Sequence, residues 1–171
     1  LVLNGGRLYR AEPSSPDDFV AIAQSGGLSF SGTRRGKLTI SPVNNDRMFF
    51  TTVATNGSFA AFYESFNKGL NWNTVNVPPS FNPYGPNNQG WYDVMIQADP
   101  QDENICYLGG IDIFRFNQGI FTQISSTGAQ QFEPYYVHAD QHSSVLSNVN
   151  DNLIYFGNDG GIFRTFNEGN Q

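Results

Sequence analysis

Residues 65–72, Ser-Phe-Asn-Lys-Gly-Leu-Asn-Trp, follow the spacing Ser-x-Asn-x-Gly-x-x-Trp. The Asn67 side chain can accept hydrogen bonds from backbone amides across a short turn, and Gly69 can adopt the positive φ that such a turn requires. Trp72 stands where the next strand should begin, and we expect its ring to pack in the core. Ser65, Asn67, Gly69 and Trp72 therefore predict a tight turn that joins two strands of a β-sheet.

Two later stretches carry weaker forms of this motif. Residues 115–121, Arg-Phe-Asn-Gln-Gly-Ile-Phe, are one residue shorter and have Phe in place of Trp. Residues 165–171, Thr-Phe-Asn-Glu-Gly-Asn-Gln, keep the spacing as far as they run. The turn residues that these stretches predict are Asn117 and Gly119, then Thr165, Asn167 and Gly169.

The chain around these turns is repetitive. An apolar strand, a turn and a second strand ending in aromatic residues recur in segments 1–10, 48–64, 105–115 and 153–164. A further strand is expected before the last three, at 37–42, 92–100 and 137–142, with polar turns at 44–46, 101–104 and 148–152. Equivalent positions Arg10, Glu64, Arg115 and Arg164 are separated by 54, 51 and 49 residues. A period of about 50 residues is typical of one four-stranded blade of a β-propeller.

We therefore expect an all-β fold, a fragment covering a little over three four-stranded blades of a propeller of about six to eight blades or more. The other blades are expected elsewhere in the same, longer chain. The approximate blade segments are 1–36, 37–90, 91–136 and 137–171.

Composition agrees with a β-rich chain and limits its partners. Gly and Pro make up about one residue in six, aromatic residues reach 15% and charged residues only 14%. These values argue against a coiled coil or helical bundle. A net charge of −6 argues against nucleic acid or an anionic membrane as partner. No apolar run reaches the roughly 20 residues of a membrane span. Cys106 lies in an apolar run and is interpreted as a small buried side chain rather than a nucleophile.

The polar stretch 137–142, Val-His-Ala-Asp-Gln-His, is the first candidate site. On a strand, alternate residues share a face, so His138, Asp140 and His142 are expected to align. Three interpretations are open: a hydrogen-bonded row beside a central channel, a ligand-binding or catalytic group, and a weak candidate for a transition-metal site. No cofactor is otherwise expected.

The turn at 157–161, Gly-Asn-Asp-Gly-Gly, is the second candidate site. Strand directions place it on the face where the first strand of each blade begins. Asp159 is then expected near His138 and Asp140, with Asp112 and Asp93 as relatives in the preceding blade. Arg34 and Arg35 are expected to reach the same rim. The alternative interpretation is that Asp159 only caps its own turn.

A long turn-rich insertion at 82–90 precedes Trp91. Long loops on one face of a scaffold often carry binding residues. An exposed Tyr84 or Trp91 could stack against a sugar ring. For Trp91, packing in the core is the alternative.

Together, the turn motif at 65–72, the stretches 137–142 and 157–164 and the Trp-Tyr-Asp run at 91–93 resemble BNR or Asp-box propellers. These include sialidase-like, xyloglucanase-like and sortilin-like proteins, and the resemblance is greatest to large exported surface proteins of Bacteroidota-type bacteria. It implies a secreted or cell-surface protein. Asn67 and Asn71 depart from the Asp and Thr of that motif.

The resemblance leaves two functions open. The main hypothesis is a non-catalytic extracellular scaffold or module that binds glycans or surface proteins, with His138, His142, Asp93, Trp91, Arg34 and Arg35 as binding residues. The alternative is a xyloglucanase-like glycoside hydrolase. In that family a catalytic Asp lies in an Asp-x-Gly-Gly-x-Tyr-Arg context, which Asp159 matches loosely. Asp140, or Asp93, is the second candidate carboxylate, although the true partner is expected in another blade.

Overall fold

A computed structural model of the chain describes residues 2–4, 7–12, 14–21, 27–147, 153–167 and 169. Within these ranges it is all-β, and its helical content is one 3-10 turn over Gln89–Trp91. The strands are β1 (Val2–Asn4), β2 (Arg7–Glu12), β3 (Ser15–Ala21), β4 (Thr33–Ile40), β5 (Met48–Ala54), β6 (Phe59–Ser65), β7 (Asn73–Thr74), β8 (Met95–Ala98), β9 (Ile105–Gly109), β10 (Ile113–Asn117), β11 (Ile120–Gln123), β12 (Gln141–Leu146), β13 (Ile154–Asn158) and β14 (Gly161–Thr165).

These strands form four antiparallel sheets that follow one another along the chain. Two sheets have four strands, β4-β5-β6-β7 and β8-β9-β10-β11, and two have three, β1-β2-β3 and β12-β13-β14, counting only described residues. Each strand pairs with its sequence neighbour. The first strands of three successive sheets, β4, β8 and β12, lie side by side. This order of simple antiparallel sheets agrees with the predicted repeat.

Strand β5 shows how the sheets pack. Successive side chains of a strand point to opposite faces. Phe49 accordingly packs on one side with Phe62 and residues of the next sheet, whereas Phe50 packs on the other with Tyr63 and Trp72. Both faces of β5 are covered, which explains why its residues from Met48 to Val53 are all buried.

Three apolar clusters fill the spaces between successive sheets. The first joins Leu8 of the opening sheet to the β4–β7 sheet. The second joins that sheet to β8–β11, with Phe62 and Phe116 rings 4.9 Å apart. The third joins β8–β11 to Ile154 and Phe156 of the last sheet. Cys106 lies in the second cluster, fully buried, and burial raises the pKa of its thiol, as its interpretation as a core side chain requires.

The turn at 65–72 has the geometry that its sequence predicts. The Ser65 hydroxyl accepts hydrogen bonds from the amides of Gly69 (2.9 Å) and Asn67 (3.3 Å), and the Asn67 carboxamide oxygen accepts from the Asn71 amide (2.8 Å). Gly69 has φ +76°. Trp72 is buried and its indole N–H donates to the Gly69 carbonyl at 3.0 Å. The motif therefore ties the end of β6 to the core.

The two weaker motifs form different turns. At 165–169, the Thr165 hydroxyl accepts from the Gly169 amide at 3.2 Å and Gly169 has φ +73°, so the first pattern is repeated. Asn117 and Gly119 instead belong to a two-residue hairpin turn in which Asn117 pairs with Ile120. The motif at 115–121 is one residue shorter than the motif at 65–72. This explains the difference, because the shorter loop closes as a two-residue hairpin instead of the longer turn.

Replacing Ser65 by Ala should lower the free energy of unfolding by about 1–3 kcal/mol, because the buried Gly69 amide loses its acceptor. Replacing Asn67 by Asp keeps an oxygen acceptor for the Asn71 amide and should change it by no more than about 0.5 kcal/mol. Denaturant unfolding of the intact protein measures both. Equal destabilisation by the two substitutions would contradict this account of the turn.

Strand positions differ from the prediction at three places. The strand predicted over 92–100 is shorter and runs over Met95–Ala98. The strand predicted over 137–142 begins only at Gln141, because Asp140 adopts a left-handed φ of +68° that ends the extended conformation. The strand predicted over 37–42 begins earlier, at Thr33. The predicted turn at 148–152 lies outside the described residues. In the part of the chain that is described, no helix is long and apolar enough to cross a membrane.

Candidate functional site

The start of β12 and the turn between β13 and β14 lie at the same end of the last sheet. The two strands are antiparallel, and Gln141 at the start of β12 pairs with Asn158 at the end of β13. In the preceding sheet Met95 likewise pairs with Gly109. The residues just before β8 and β12 therefore share one face with the turn that carries Asp159, which is the placement expected from the strand directions.

Asp159 is held by two side chains from outside its own turn. The Tyr92 hydroxyl donates to the carboxylate, at 3.2 Å from Oδ1 and 3.1 Å from Oδ2, and His142 Nε2 lies 2.8 Å from Oδ1. Tyr92 belongs to the loop before β8, whereas His142 belongs to β12. Asp159 thus joins groups from two neighbouring sheets.

The turn itself is capped by another residue. The Asn158 side-chain oxygen accepts the Gly160 amide at 3.0 Å. Asn158 is therefore the residue that caps this turn. The hydrogen bonds do not support the interpretation in which Asp159 only caps its own turn. The Asp159 carboxylate stays 38% exposed and faces Tyr92 and His142 at the surface.

The surroundings of Asp159 favour its ionised form. The hydrogen bond from His142 is the largest influence that lowers the pKa of this carboxyl, followed by the bond from Tyr92 and the positive potential of His142 and His138. The bond from Tyr92, with the charge of Asp159, raises the pKa of the Tyr92 hydroxyl. Near neutral pH the site therefore presents an ionised carboxylate beside a protonated phenol.

Exposed aromatic rings continue from this carboxylate across the surface. Trp91 and Tyr92 are 53% and 43% exposed, with ring centroids 5.6 Å apart, and the Tyr92 and His142 rings meet edge to face at 4.9 Å. We call Trp91, Tyr92 and His142 the aromatic row. The exposure of Trp91 contradicts the alternative in which it packs in the core. Flat, exposed rings of this kind can stack on the apolar face of a sugar.

Tyr84 does not belong to this surface. Its ring is fully buried, its hydroxyl lies 3.2 Å from Thr51 Oγ1, and burial raises its pKa. The prediction of an exposed Tyr84 that stacks on a ligand is wrong. The ring instead anchors the 82–90 insertion to β5, where a Cβ on Gly90 or Gly110 would lie less than 3 Å from it.

Asp93, immediately after the aromatic pair, is fully buried. The pKa of its carboxyl is raised to about 7, mainly by burial and also by the neighbouring Asp140 carboxyl, while its own amide and Arg35 act in the opposite direction. Asp93 therefore cannot contact a ligand at the surface, although it follows Tyr92 directly in the sequence. Its burial is at odds with the prediction that Asp93 is a binding residue.

The alignment expected for His138, Asp140 and His142 is wrong, because Asp140 has a positive φ and only His142 lies on the strand. Asp140 Oδ1 accepts from Gln89 Nε2 at 3.1 Å, whereas His142 faces Asp159. Among the described residues, no group of three His, Cys, Asp or Glu side chains is arranged to hold a metal ion. The weak metal-site candidate therefore loses its geometric basis.

The remaining candidate residues lie around the same face. The His138 ring packs over Gly160, where an added Cβ would lie 2.4 Å from it. Arg35 donates from Nη1 to the Trp91 carbonyl at 2.8 Å, and Arg34 is exposed on β4. Asp112, in the equivalent turn of the preceding sheet, accepts the Thr127 amide at 2.8 Å and serves as a cap.

Tyr92 and Gln89 are functional candidates that the sequence alone did not identify. Tyr92 binds Asp159, 67 positions away along the chain, and Gln89 binds Asp140, 51 positions away. Only the folding of the 82–90 insertion towards β12 creates these contacts. The one available signal is the Trp-Tyr-Asp run, in which Tyr92 stands beside two residues already singled out.

A cavity lies away from this site, between the last two sheets. Its volume is about 610 Å³, and its lining includes Ile113, Ile124, Phe156 and Phe163. Phe156 and Phe163 are paired across neighbouring strands of the last sheet. The corresponding pair in the β4–β7 sheet, Phe50 and Tyr63, packs against Trp72. The cavity is thus part of the space between sheets, and neither Asp159 nor the aromatic row lines it.

No protein-family model matches the chain, and no curated protein matches it in sequence. Solved structures do match in fold. A GH74 enzyme from Niastella koreensis superposes with a TM-score of 0.63 at 16% identity, over 97% of this chain and 26% of that one. A GH74 xyloglucanase from Xanthomonas campestris gives 0.63 at 18%, over 94% and 26%. An ancestral GH74 enzyme gives 0.52 at 15%, over 97% and 24%.

These likenesses show a propeller-like fold, and this chain spans about a quarter of the length of each matched structure. All three matched proteins are GH74 enzymes. At 15–18% identity, the comparison bears on the fold of this chain.

Proposed function

We propose that this chain is a segment of a glycoside-hydrolase propeller acting on a β-glucan of the xyloglucan type, with Asp159 as a catalytic carboxylate. The observation that carries the proposal is the position of Asp159. It is an exposed, ionised carboxylate, oriented by Tyr92 and His142 at the face where the first strands begin. The GH74 structures that share the fold supply the substrate class.

We assign Asp159 the role of the general base. Glycoside hydrolysis with inversion needs one ionised carboxylate to activate water and one protonated carboxyl to protonate the leaving oxygen, about 6.5–9.5 Å apart. Two hydrogen-bond donors keep Asp159 ionised, and its exposure leaves room for a water molecule. Near neutral pH such a carboxylate is unprotonated, as a general base must be before it activates water.

The proton donor is a separate residue. Asp93 has a raised pKa but is buried, and Asp140 is bound by Gln89, so neither is free to approach a glycosidic oxygen. We propose that the acid is supplied by another part of the same propeller, beyond the roughly one quarter that this chain represents in the matched structures.

The aromatic row provides a place for the sugar. Replacing Trp91 by Ala should raise KM for a soluble glucan about tenfold with little change in kcat, because stacking on an exposed aromatic ring is worth about 1–1.5 kcal/mol. Replacing Trp91 by Phe retains a ring and should recover part of the affinity. Steady-state kinetics of the intact protein measures both variants, and an unchanged KM in Trp91→Ala would remove the ring from the binding site.

The proposed function is tested by incubating the intact protein with xyloglucan, unsubstituted β-glucan and a sialoside, and measuring new reducing ends or free sialic acid. We expect hydrolysis of a β-glucan, and the anomeric form of the first product reports whether a water-activating base is used. Absence of hydrolysis on all β-glucans would contradict the proposal.

The second candidate function is glycan binding without cleavage. It is favoured by one observation: Asp93 is buried and Asp140 is bound by Gln89, so neither of the other two candidate carboxylates is free to act with Asp159. On this alternative, binding of a soluble glucan persists, depends on Trp91 and is accompanied by no reducing ends.

Three further assignments stand as proposals. The turns at 65–72 and 165–169 belong to Asp-box repeats, supported by their shared Ser/Thr–Asn–Gly hydrogen bonds. The protein acts outside the cell, supported by a polymeric substrate that cells do not import whole. Its first partners are the other blades of its own chain, supported by the partial coverage of the matched structures.

A further inference from the structure

Asp93 is an unusual residue in this fold. Its side chain is fully buried, and neither carboxyl oxygen accepts a hydrogen bond from any described residue. An ionised carboxylate in such a position is strongly disfavoured unless a donor or a counter-charge is present. The buried carboxyl therefore requires a proton or a partner.

The groups that face Asp93 come from four parts of the chain. They are the Asp140 carboxyl before β12, the Arg35 guanidinium on β4, the Tyr84 hydroxyl in the insertion and the hydroxyl of the adjacent Tyr92. Arg35 already donates to the Trp91 carbonyl and Tyr84 is bonded to Thr51. The Tyr92 hydroxyl is bonded to Asp159, so the Asp140 carboxyl is the partner left for Asp93 among these groups.

Asp140 has a strained backbone conformation. A non-glycine residue with φ +68° is strained, so its neighbours must fix this conformation. Gln89 Nε2 donates to one of its oxygens at 3.1 Å. The Gln89 carbonyl in turn accepts the amides of Tyr92 (2.7 Å) and Asp93 (3.1 Å). Gln89 therefore links the Asp140 carboxyl to the backbone of the segment that carries Tyr92 and Asp93.

We propose that Asp93 and Asp140 share one proton, with the Asp93 carboxyl donating to the Asp140 carboxylate, and that this buried pair positions the Gln89–Tyr92 segment and through it Asp159. Asp93 and Asp140 are positioning residues, since Asp93 does not reach the surface. The role in catalysis rests on the proposed function, whereas the shared proton does not.

The pair predicts a sign for the pH dependence. The pKa of Asp93 is raised to about 7 in the folded protein, mainly by burial. Its stabilising effect is complete below the unfolded pKa near 4 and is lost progressively as pH rises to about 7. Above that pH two neighbouring carboxylates repel, the Gln89–Tyr92 segment shifts, and Tyr92 releases Asp159. Activity should then fall by up to about tenfold per pH unit.

The test compares wild type with Asp93→Asn and Asp140→Asn in the intact protein between pH 5 and 9. The amide introduced by Asp93→Asn keeps a donor towards Asp140 but has no proton to lose. We expect the Tm of Asp93→Asn, relative to wild type, to increase as pH rises from 5 to 8. The alkaline loss of kcat should disappear in the same variant. In Asp140→Asn the carboxyl of Asp93 should titrate at lower pH, which carboxyl ¹³C shifts measure directly.

Asp112→Asn is the control, because Asp112 is a half-buried carboxyl in the turn between β9 and β10 that bonds Thr127 and Gln123 instead of a second acid. It should leave the alkaline limb of activity in place. A wild-type pH profile in Asp93→Asn, in both Tm and kcat, would overturn the shared proton. A changed Tm profile in a protein that hydrolyses no glucan supports the pair and contradicts the proposed function.

Discussion

Replacing Asp159 by Asn should lower kcat for β-glucan hydrolysis about 10³-fold while changing KM little. The amide retains the size of the side chain and its hydrogen bond from Tyr92, but it cannot accept a proton from water. The partners Tyr92 and His142 come from different sheets, so the geometry that orients residue 159 survives the change.

This prediction is checked by steady-state kinetics with the variant and its control. Asp112→Asn alters a carboxylate in the equivalent turn of the preceding sheet, where it accepts hydrogen bonds from Thr127 and Gln123 of its own sheet, and should retain essentially wild-type kcat. Circular dichroism verifies that both variants are folded. Hydrolysis by Asp159→Asn at the wild-type rate would exclude Asp159 as the base and leave the aromatic row as a binding surface.

Replacing Trp72 by Ala should lower the free energy of unfolding by about 3–5 kcal/mol. The indole is 3% exposed, lies 5.9 Å from the Phe50 ring and packs with Leu8 of the preceding sheet. Its removal opens a cavity between two sheets and leaves the Gly69 carbonyl without its donor. For a domain of ordinary stability this is a large fraction of the total.

The second tryptophan provides the control. Trp91→Ala removes the same side chain from a position that is 53% exposed, and should change the free energy of unfolding by less than about 1 kcal/mol. Denaturant unfolding of the intact protein, followed by circular dichroism because a fluorophore is lost in each variant, compares the two. Equal destabilisation would contradict the assignment of Trp72 to the core and Trp91 to the ligand surface.

The two tryptophans also show how far sequence reasoning reaches. Trp72 is predictable because it stands at a fixed distance from Ser65, Asn67 and Gly69 within one turn, where local hydrogen bonds decide the conformation. Trp91 follows a long insertion, and its exposure depends on how residues 82–90 fold over β5. Tyr84, in the same insertion, was expected at the surface and is buried instead.

The candidate site divides in the same way. The end of the sheet at which Asp159 lies follows from the direction of the strands, and the pairing of Gln141 with Asn158 agrees. Its partners Tyr92 and His142 do not follow, because they are 67 and 17 positions away and meet it only when two sheets are packed. The same holds for Asp93 and Asp140.

For this protein, the sequence by itself determined the turn at 65–72, the repeat of about 50 residues, and most of the strands with their antiparallel order, since these depend on side-chain alternation and on contacts within a few residues. The tertiary structure alone decided which polar groups meet. The positive φ of Asp140 ends the expected row of His138, Asp140 and His142, and the packing of the insertion brings Tyr92 to Asp159. Such contacts join residues distant in the chain, and no local preference encodes them.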